Sequence, residues 1–460
     1  MAAHGRWIGA ALALGAIGSL QEGGAHARTD VAPDAGPGVV AAYVKGPYVQ
    51  ALGPTGVTIK LEISTPAAAR VEIYAVGGSD APVTAATSDA PLAFHAVRVE
   101  GLRPATAYEY VASAGGASSG RGRFTTAPDD ARPFRFLAYG DSRTDARAHA
   151  AVVRAMTATP ADFLVNTGDL VGSGADASDW STFFSVEGAM LRDRCVFAAV
   201  GNHELSRNDP ATGGAFLRYF APREEDHELA RLYGSFRWSN TRFFLLNAMD
   251  AWTGDERAWL RAELDRALVE PGLAHRIAVM HWGPYSAGPH GNNPALASGD
   301  VLALMRDRNV DLVLAGHDHV YERGAGSGLK YVVTGGAGAP LYAKKRDIPE
   351  TITFEPAYHF VEIAVDGERV DLVARRASGG IIETCGYTGA GPWSCEGTRP
   401  PSEQATPGAK ADPALSAPAG PVRARNGCGC ALVGAASAPG AGGAALLALA
   451  AATRRRRRRR

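Results

Sequence analysis

The sequence predicts an α/β domain that carries the chemistry, preceded by a small all-β sandwich. Three observations predict this. Residues 43–128 alternate apolar and polar side chains with the two-residue period of strands. Residues 132–395 alternate short continuous apolar runs with helical patterns. The chemistry-bearing residues of that second region fall just past the ends of the apolar runs, where open α/β sheets build their sites.

In the all-β region, Val57–Ile63 and Val71–Val76 alternate regularly, and His95–Val99 leads into Gly101-Leu102-Arg103-Pro104-Ala105-Thr106-Ala107-Tyr108. A turn followed by a Tyr-bearing strand suits a Greek-key sandwich, in which a corner Tyr bonds back to the backbone. This string resembles fibronectin type III domains and the small β domain that precedes the catalytic domain in purple acid phosphatases. Ala127-Pro128-Asp129-Asp130 marks the boundary. Beyond it, Phe134–Tyr139, Phe163–Asn166, Val196–Val200, Phe243–Leu246, Ile277–Met280 and Leu312–Leu314 read as buried strands. Asp145–Ala158, Asp255–Ala267 and Val301–Arg308 read as helices.

Both ends read as addresses. Residues 1–27 have the order of a secretory signal: Arg6, an uncharged Trp7–Leu20 segment, and a small-x-small site at Ala25-His26-Ala27. An Ala/Gly/Pro leader, 28–42, follows. Residues 396–426 hold six prolines and no aromatic residue, the composition of a linker. Residues 427–460 place Cys428-Gly429-Cys430 before a weakly apolar, uncharged stretch and the arginine run Arg454–Arg460. That order resembles the myxobacterial-type C-terminal sorting signal, which implies export, processing and surface retention. A plain tail anchor is the other reading.

Composition narrows the function. The chain has 460 residues, with 47 Lys+Arg against 47 Asp+Glu. Seven of the cations are the terminal arginines, so the body is acidic, which argues against a nucleic-acid-binding surface. No internal run of about 18 apolar residues exists, so membrane contact is expected only through the terminal signals. Cys385 and Cys395 are spaced to close a small disulfide loop, Cys195 sits in an apolar run as a buried thiol, and no CxxC pair points to a zinc ribbon.

Five polar clusters end the apolar runs: Gly140-Asp141-Ser142-Arg143, Gly168-Asp169, Gly201-Asn202-His203-Glu204, His281-Trp282-Gly283-Pro284 and Gly316-His317-Asp318-His319. Carboxylates, an amide and imidazoles converging in one layer suit Zn, Mn or Fe better than Ca or Mg alone. A carboxylate shared by two such ions can organise phosphoryl transfer. Gly beside each ligand lets backbone and metal approach closely. His317 and His319, one residue apart, are expected on the same side of an extended segment.

The order GD, GD, GNHE, H, GHxH resembles the calcineurin-like metallophosphoesterase family. Gly316-His317-Asp318-His319-Val320-Tyr321-Glu322-Arg323 and His281-Trp282-Gly283-Pro284-Tyr285-Ser286-Ala287-Gly288 are most similar to its purple acid phosphatase branch. The resemblance implies an αββα sandwich and a centre of two metal ions. Asp169 would bridge them; Asp141 and His319 would complete the first site, and Asn202, His281 and His317 the second. A metal-bound hydroxide would attack a phosphate monoester, a small-molecule substrate, and His203 would protonate the leaving oxygen. A phosphodiesterase or nucleotidase of the same fold is an alternative, as is a non-catalytic surface binding protein with an incomplete metal site.

The sequence departs from the family at two positions. The His that usually follows the first Asp by two residues is Arg143, and the Tyr that purple acid phosphatases place three residues after the bridging Asp is Gly172. The resemblance therefore implies no iron–tyrosinate colour. Arg143 is expected either to fork onto the substrate phosphate or to pair with Asp145 or another acid at the rim. His290 is expected to touch substrate or to stand as a solvated loop residue. His359 is expected beside the sheet, and Tyr321, Glu322 and Arg323 as braces for the His317–His319 loop.

Overall fold

The computed structural model describes residues 40–396 apart from 206–212, 221–231, 250–251, 253 and 298–299. The terminal segments read as signal, leader (to residue 39), linker (from residue 397) and sorting tail lie outside the described residues.

The first domain is all-β and antiparallel. Its strands are β1 (Tyr43–Gln50), β2 (Gly56–Ala75), β3 (Thr84–Glu100), β4 (Ala107–Ala114), β5 (Ala117–Ser118) and β6 (Gly122–Thr125). The two alternating runs Val57–Ile63 and Val71–Val76 are one strand. The first part of β2 pairs with β1 and the end of β3; the second part pairs with β4 and the start of β3. The register breaks between Glu62 and Ala69, around Ser64-Thr65-Pro66, so β2 and β3 bend and carry the pairing from one part of the sheet to the other. Val57, Ile59, Leu61, Val71, Ile73 and Tyr110 fill the core this creates. The hydroxyl of Tyr108 accepts from the backbone N–H of Arg103 at 3.1 Å, a tyrosine bonded back across its corner.

The second domain is the αββα sandwich. One sheet contains β7 (Phe134–Tyr139), β8 (Phe163–Asn166) and β9 (Val196–Ala198); the other contains β10 (Gly234–Trp238), β11 (Thr241–Leu246), β12 (His275–Trp282), β13 (Leu312–Gly316), β14 (Tyr321–Gly326), β15 (Leu329–Thr334) and β16 (Thr351–Glu355). The chain then returns to the first sheet through β17 (His359–Asp366), β18 (Arg369–Arg376), β19 (Ile381–Thr388) and β20 (Ser394–Glu396). The orders are β20-β19-β18-β17-β7-β8-β9 and β10-β11-β12-β13-β15-β14-β16. β7, β8 and β9 run parallel, as do β11, β12, β13 and β15.

Strand alternation sorts the core into layers. Phe136, Phe163, Val165, Phe243, Ile277, Val279, Leu312 and Leu314 pack between the sheets. The intervening Leu137, Tyr139 and Leu164 face α1 (Ala146–Thr157) and α2 (Ala177–Leu191). On the other side, Ala278, Met280 and Val313 face α4 (Gly254–Val269) and α6 (Val301–Arg306). Two short helices, α3 (Gly214–Phe220) and α5 (Pro294–Ala297), complete the described set. Among the described residues no helix is long and apolar enough to cross a membrane.

The all-β domain is fastened to the sandwich rather than hung from it. Tyr110 donates to the carbonyl of Arg192 at 2.9 Å, Gln50 to that of Val196 at 3.1 Å, and Lys60 to that of Arg218 at 3.2 Å. Cys385 and Cys395 form the expected disulfide between β19 and β20, and Cys195 is a buried free thiol.

Candidate metal centre

The loops after β7, β8, β9, β12 and β13 converge. Each parallel strand ends in a sharp turn, and three of the turning residues adopt left-handed backbone: Asp141 (φ +57°), Asp169 (φ +56°) and His317 (φ +71°). Asp and His tolerate that conformation better than branched residues, but it is held by surrounding bonds. The N–H of Asp141 donates to the carbonyl of Gly168, and that of His317 to Asp141 Oδ2, both at 2.9 Å. Buried Glu204 accepts the N–H groups of Asp169 (2.9 Å), Gly201 (2.8 Å) and Val171 (3.2 Å), locking the second and third loops together. The adjacent glycines make room for carboxylates as much as for metal. A Cβ on Gly316 would lie 2.5 Å from Asp141 Oδ2, and one on Gly201 would collide with Asp169 Oδ1.

At the centre the carboxylate of Asp169 divides two groups of side chains. Its Oδ1 lies 3.3 Å from His281 Nε2 and accepts the N–H of His203 at 3.0 Å. The same His281 Nε2 is 3.2 Å from Asn202 Oδ1 and 3.2 Å from His317 Nδ1. Its other ring nitrogen donates to the carbonyl of Thr167 at 2.9 Å, which fixes the ring. On the far side, Asp169 Oδ2 accepts from Arg143 Nε at 3.0 Å, and Arg143 Nη2 donates to His319 Nε2 at 3.2 Å. His319 Nδ1 donates to the carbonyl of Pro340 at 2.7 Å, so Nε2 presents its lone pair. Asp141 Oδ1 lies 3.4 Å from His319 Nε2 and 3.9 Å from His281 Nε2.

Burial and neighbouring charge act against each other in this cluster. Burial opposes the charge of Asp169, but His281, His203 and Arg143 outweigh it and hold its carboxyl well below the usual range. Burial also opposes protonation of His281, yet Asp169 and Asp141 raise its pKa to about 9. Burial and the neighbouring His281 and His290 push His317 well below its ordinary value, leaving it neutral and able to ligate.

The structure brings Asp141, Asp169, Asn202, His281, His317, His319, His203 and Arg143 into one cluster, with His290 against its edge. Three expectations are corrected in detail. His317 and His319 do not share an extended segment: backbone bonds from Asp318 to Gly316 and from Val320 to Asp318 curl the loop, and the turn at His317 aims both rings inward. Arg143 does not pair with Asp145, whose carboxylate caps α1 through the N–H groups of Arg147 and Ala148. Arg143 instead turns onto Asp169, with its side chain only 16% exposed. Tyr321 and Arg323 bond Glu383, on β19 of the other sheet, and so clamp the two sheets together; only Glu322 braces the site.

His290 is a built feature rather than a loose loop residue. Its N–H and Nδ1 both bond Asp318 Oδ1, at 3.2 and 2.8 Å, and its ring lies over His317 with centroids 3.9 Å apart. Ser286 donates to the other oxygen of Asp318 at 2.5 Å. His203 Nδ1 donates to the carbonyl of Gly172 at 2.6 Å, leaving Nε2 3.8 Å from Asp169 Oδ2. Sequence reasoning missed Glu204, which lies within the GNHE string, and Tyr342, which stacks on His319 at 4.1 Å and is joined to it by no motif.

The donors fit a metal ion on one side of Asp169. Ligand atoms of Asp141, Asp169 and His281 lie within 4.8 Å of one another, all three residues are buried, and Asp141 Oδ1 has no hydrogen-bond partner among the described residues. A buried carboxylate oxygen without a donor is costly unless a cation completes it.

Comparison with known proteins agrees with this geometry. The calcineurin-like phosphoesterase family matches residues 134–321, the segment from β7 to the start of β14. An uncharacterized protein of Mycobacterium tuberculosis is 29% identical over 260 residues, 48% of this chain and 49% of that protein. The probable purple acid phosphatase 20 of Arabidopsis thaliana is 26% identical over 231 residues, 48% of this chain and 53% of its own. The chain thus spans about half the length of the curated relatives it matches. Among solved structures, purple acid phosphatase from yellow lupin (Lupinus luteus) seeds superposes with a TM-score of 0.65 at 16% identity, covering 76% of this chain and 74% of that one. PhoD superposes with a TM-score of 0.62 at 11% identity, covering 77% and 92%.

The sandwich domain therefore has the calcineurin-like metallophosphoesterase fold. Relatives of this chain include purple acid phosphatases of Arabidopsis thaliana.

Proposed function

We propose that this chain is an exported, metal-dependent phosphoesterase that hydrolyses phosphate monoesters. The observation that carries the reading is the Asp169 carboxylate, with His281 Nε2 3.3 Å from one oxygen and Arg143 Nε 3.0 Å from the other, under a buried Asp141 oxygen that has no hydrogen-bond partner among the described residues. Asp141, Asp169, Asn202, His281 and His317 would hold metal, Fe, Zn or Mn by their donor types. Bound there, the metal neutralises phosphate charge and makes water a nucleophile near neutral pH.

The chain's own residues supply the rest. Arg143 and His290 flank the cluster from two sides and orient the phosphate by N–H donation. His203, anchored through Nδ1 on the carbonyl of Gly172, turns Nε2 toward the reacting side and delivers a proton to the leaving oxygen. Glu204 and Asp318 keep the Asp169 turn and the His290 ring in place and touch no substrate.

The terminal signals support export and surface retention, and a disulfide at Cys385–Cys395 suits an oxidising compartment. The tyrosine corner at Tyr108 supports a fibronectin type III-like reading of the first domain. The test is hydrolysis of an aryl phosphate by chelated and Mn-, Zn- or Fe-reloaded protein, run beside a phosphodiester and a nucleotide. Metal-dependent monoester turnover supports the proposal. A reloaded protein that cleaves only the diester reassigns the substrate, and inertness overturns it.

A further inference from the structure

Arg143 sits among the donors that the family resemblance assigns to the first of two metal ions. Its guanidinium bonds Asp169 Oδ2 through Nε (3.0 Å) and the lone pair of His319 Nε2 through Nη2 (3.2 Å). Those are two of the donors expected for the first metal. The third, Asp141, has turned one oxygen to the N–H of His317. Its free oxygen lies 3.4 Å from His319 and 3.9 Å from His281, between the two positions.

The surroundings hold the guanidinium there. Nη1 donates to Thr144 Oγ1 at 3.2 Å, and Thr144 itself has left-handed backbone (φ +80°). The ring of Tyr342 stacks on His319 and covers it. A planar, permanently charged fork is a stable partner for a carboxylate and an imidazole lone pair.

Among the described residues no further His, Cys, Asp or Glu joins Asp141 and His319 on that side. The position that could have added a ligand there is Gly172, which has no side chain and whose carbonyl accepts from His203 Nδ1. On the opposite side of Asp169 no guanidinium intrudes, and His281, Asn202, His317 and Asp169 Oδ1 remain grouped.

We propose that this is a one-metal centre in which the Arg143 guanidinium permanently takes the place of the first cation, and Asp169 Oδ1, with Asn202, His281 and His317, would hold the single ion. The inference rests on the phosphoesterase reading and deepens it. Arg143 supplies fixed positive charge for a phosphate but, unlike a metal ion, no exchangeable ligand position.

The test is metal stoichiometry of the full chain, chelated and then reloaded with excess Mn(II), by elemental analysis and by electron paramagnetic resonance. The inference predicts about one ion per chain and an uncoupled Mn(II) signal. Arg143→His, which removes the guanidinium and supplies an imidazole, is predicted to bind about two ions and to show an exchange-coupled pair. Two ions or a coupled signal in the unsubstituted chain overturns the inference while leaving the phosphoesterase reading intact. So does a folded Arg143→His variant that still binds one. A chain that takes up no Mn(II) overturns both. The measurement on the unsubstituted chain decides even if the variant does not fold.

Discussion

Glu204 Oε2 accepts the backbone N–H of Asp169 at 2.9 Å, so a carboxylate outside the metal-facing set fixes the turn that presents the shared carboxylate. Burial and the charge of Asp169 raise the pKa of Glu204 to about 7. It also accepts from Gly201 and Val171, and among the described residues no other side chain bonds these three N–H groups. Glu204→Ala is therefore expected to cost about 2–4 kcal/mol of stability, from buried donors left unsatisfied. Glu204→Gln, which keeps acceptor capacity on one oxygen, should cost less. Denaturant unfolding of the two variants checks the order, and Mn(II) uptake should fall in the same order.

In the proposed mechanism His203 moves a proton rather than holding metal. Its Nε2 faces Asp169 Oδ2 at 3.8 Å while its other nitrogen is tied to Gly172. His203→Ala should lower kcat for an aryl phosphate roughly 100-fold or more with bound metal unchanged. The loss should be smaller for substrates with a better leaving group, because they need less proton donation. Equal loss across leaving groups would count against the role.

Asp318 bonds His290 twice and holds its ring over His317. Asp318→Ala removes both anchors. It should weaken inhibition by inorganic phosphate by about tenfold, near 1.4 kcal/mol, through KM more than kcat. An unchanged inhibition constant would remove His290 from substrate binding.

His359 gives a pH dependence set mainly by burial. It is fully buried on β17, donates from Nδ1 to the carbonyl of Ala357, and leaves Nε2 without a partner among the described residues. Burial lowers its pKa to about 4 from 6.5. The unfolded chain takes up a proton below pH 6.5 and the folded chain does not until about pH 4. Stability contributed by neutral His359 is thus complete above the unfolded value and declines as pH falls, by roughly 3 kcal/mol across that window. Chelated protein unfolded at pH 7 and pH 4.5 should show a smaller acid loss in His359→Gln than in the unsubstituted chain.

The strands that position the site were legible because β7, β8 and β13 are continuous apolar runs halted by glycine next to Asp or His. α2 was not. It carries Trp180, Phe183 and Phe184 beside Glu187 and buries all four, so no single apolar stripe marks it. Glu187 is buried because Tyr139 donates to it at 2.7 Å, a pairing across 48 residues that no local pattern announces. The long bent strand β2 was read as two because Ser64-Thr65-Pro66 interrupts its alternation without ending it. The site residues were legible as residue types in order. The partner of Arg143 was not, because whether a guanidinium meets Asp145 or Asp169 depends on the turn at Asp141, and only the folded loops set it.

The most direct test of the central claim is Mn(II) binding, with aryl phosphate turnover, in the unsubstituted chain and in Asp169→Asn after chelation. The account predicts that the unsubstituted chain binds Mn(II) and regains hydrolysis, and that Asp169→Asn, still folded, does neither. Hydrolysis persisting in Asp169→Asn, or surviving chelation undiminished, would contradict it.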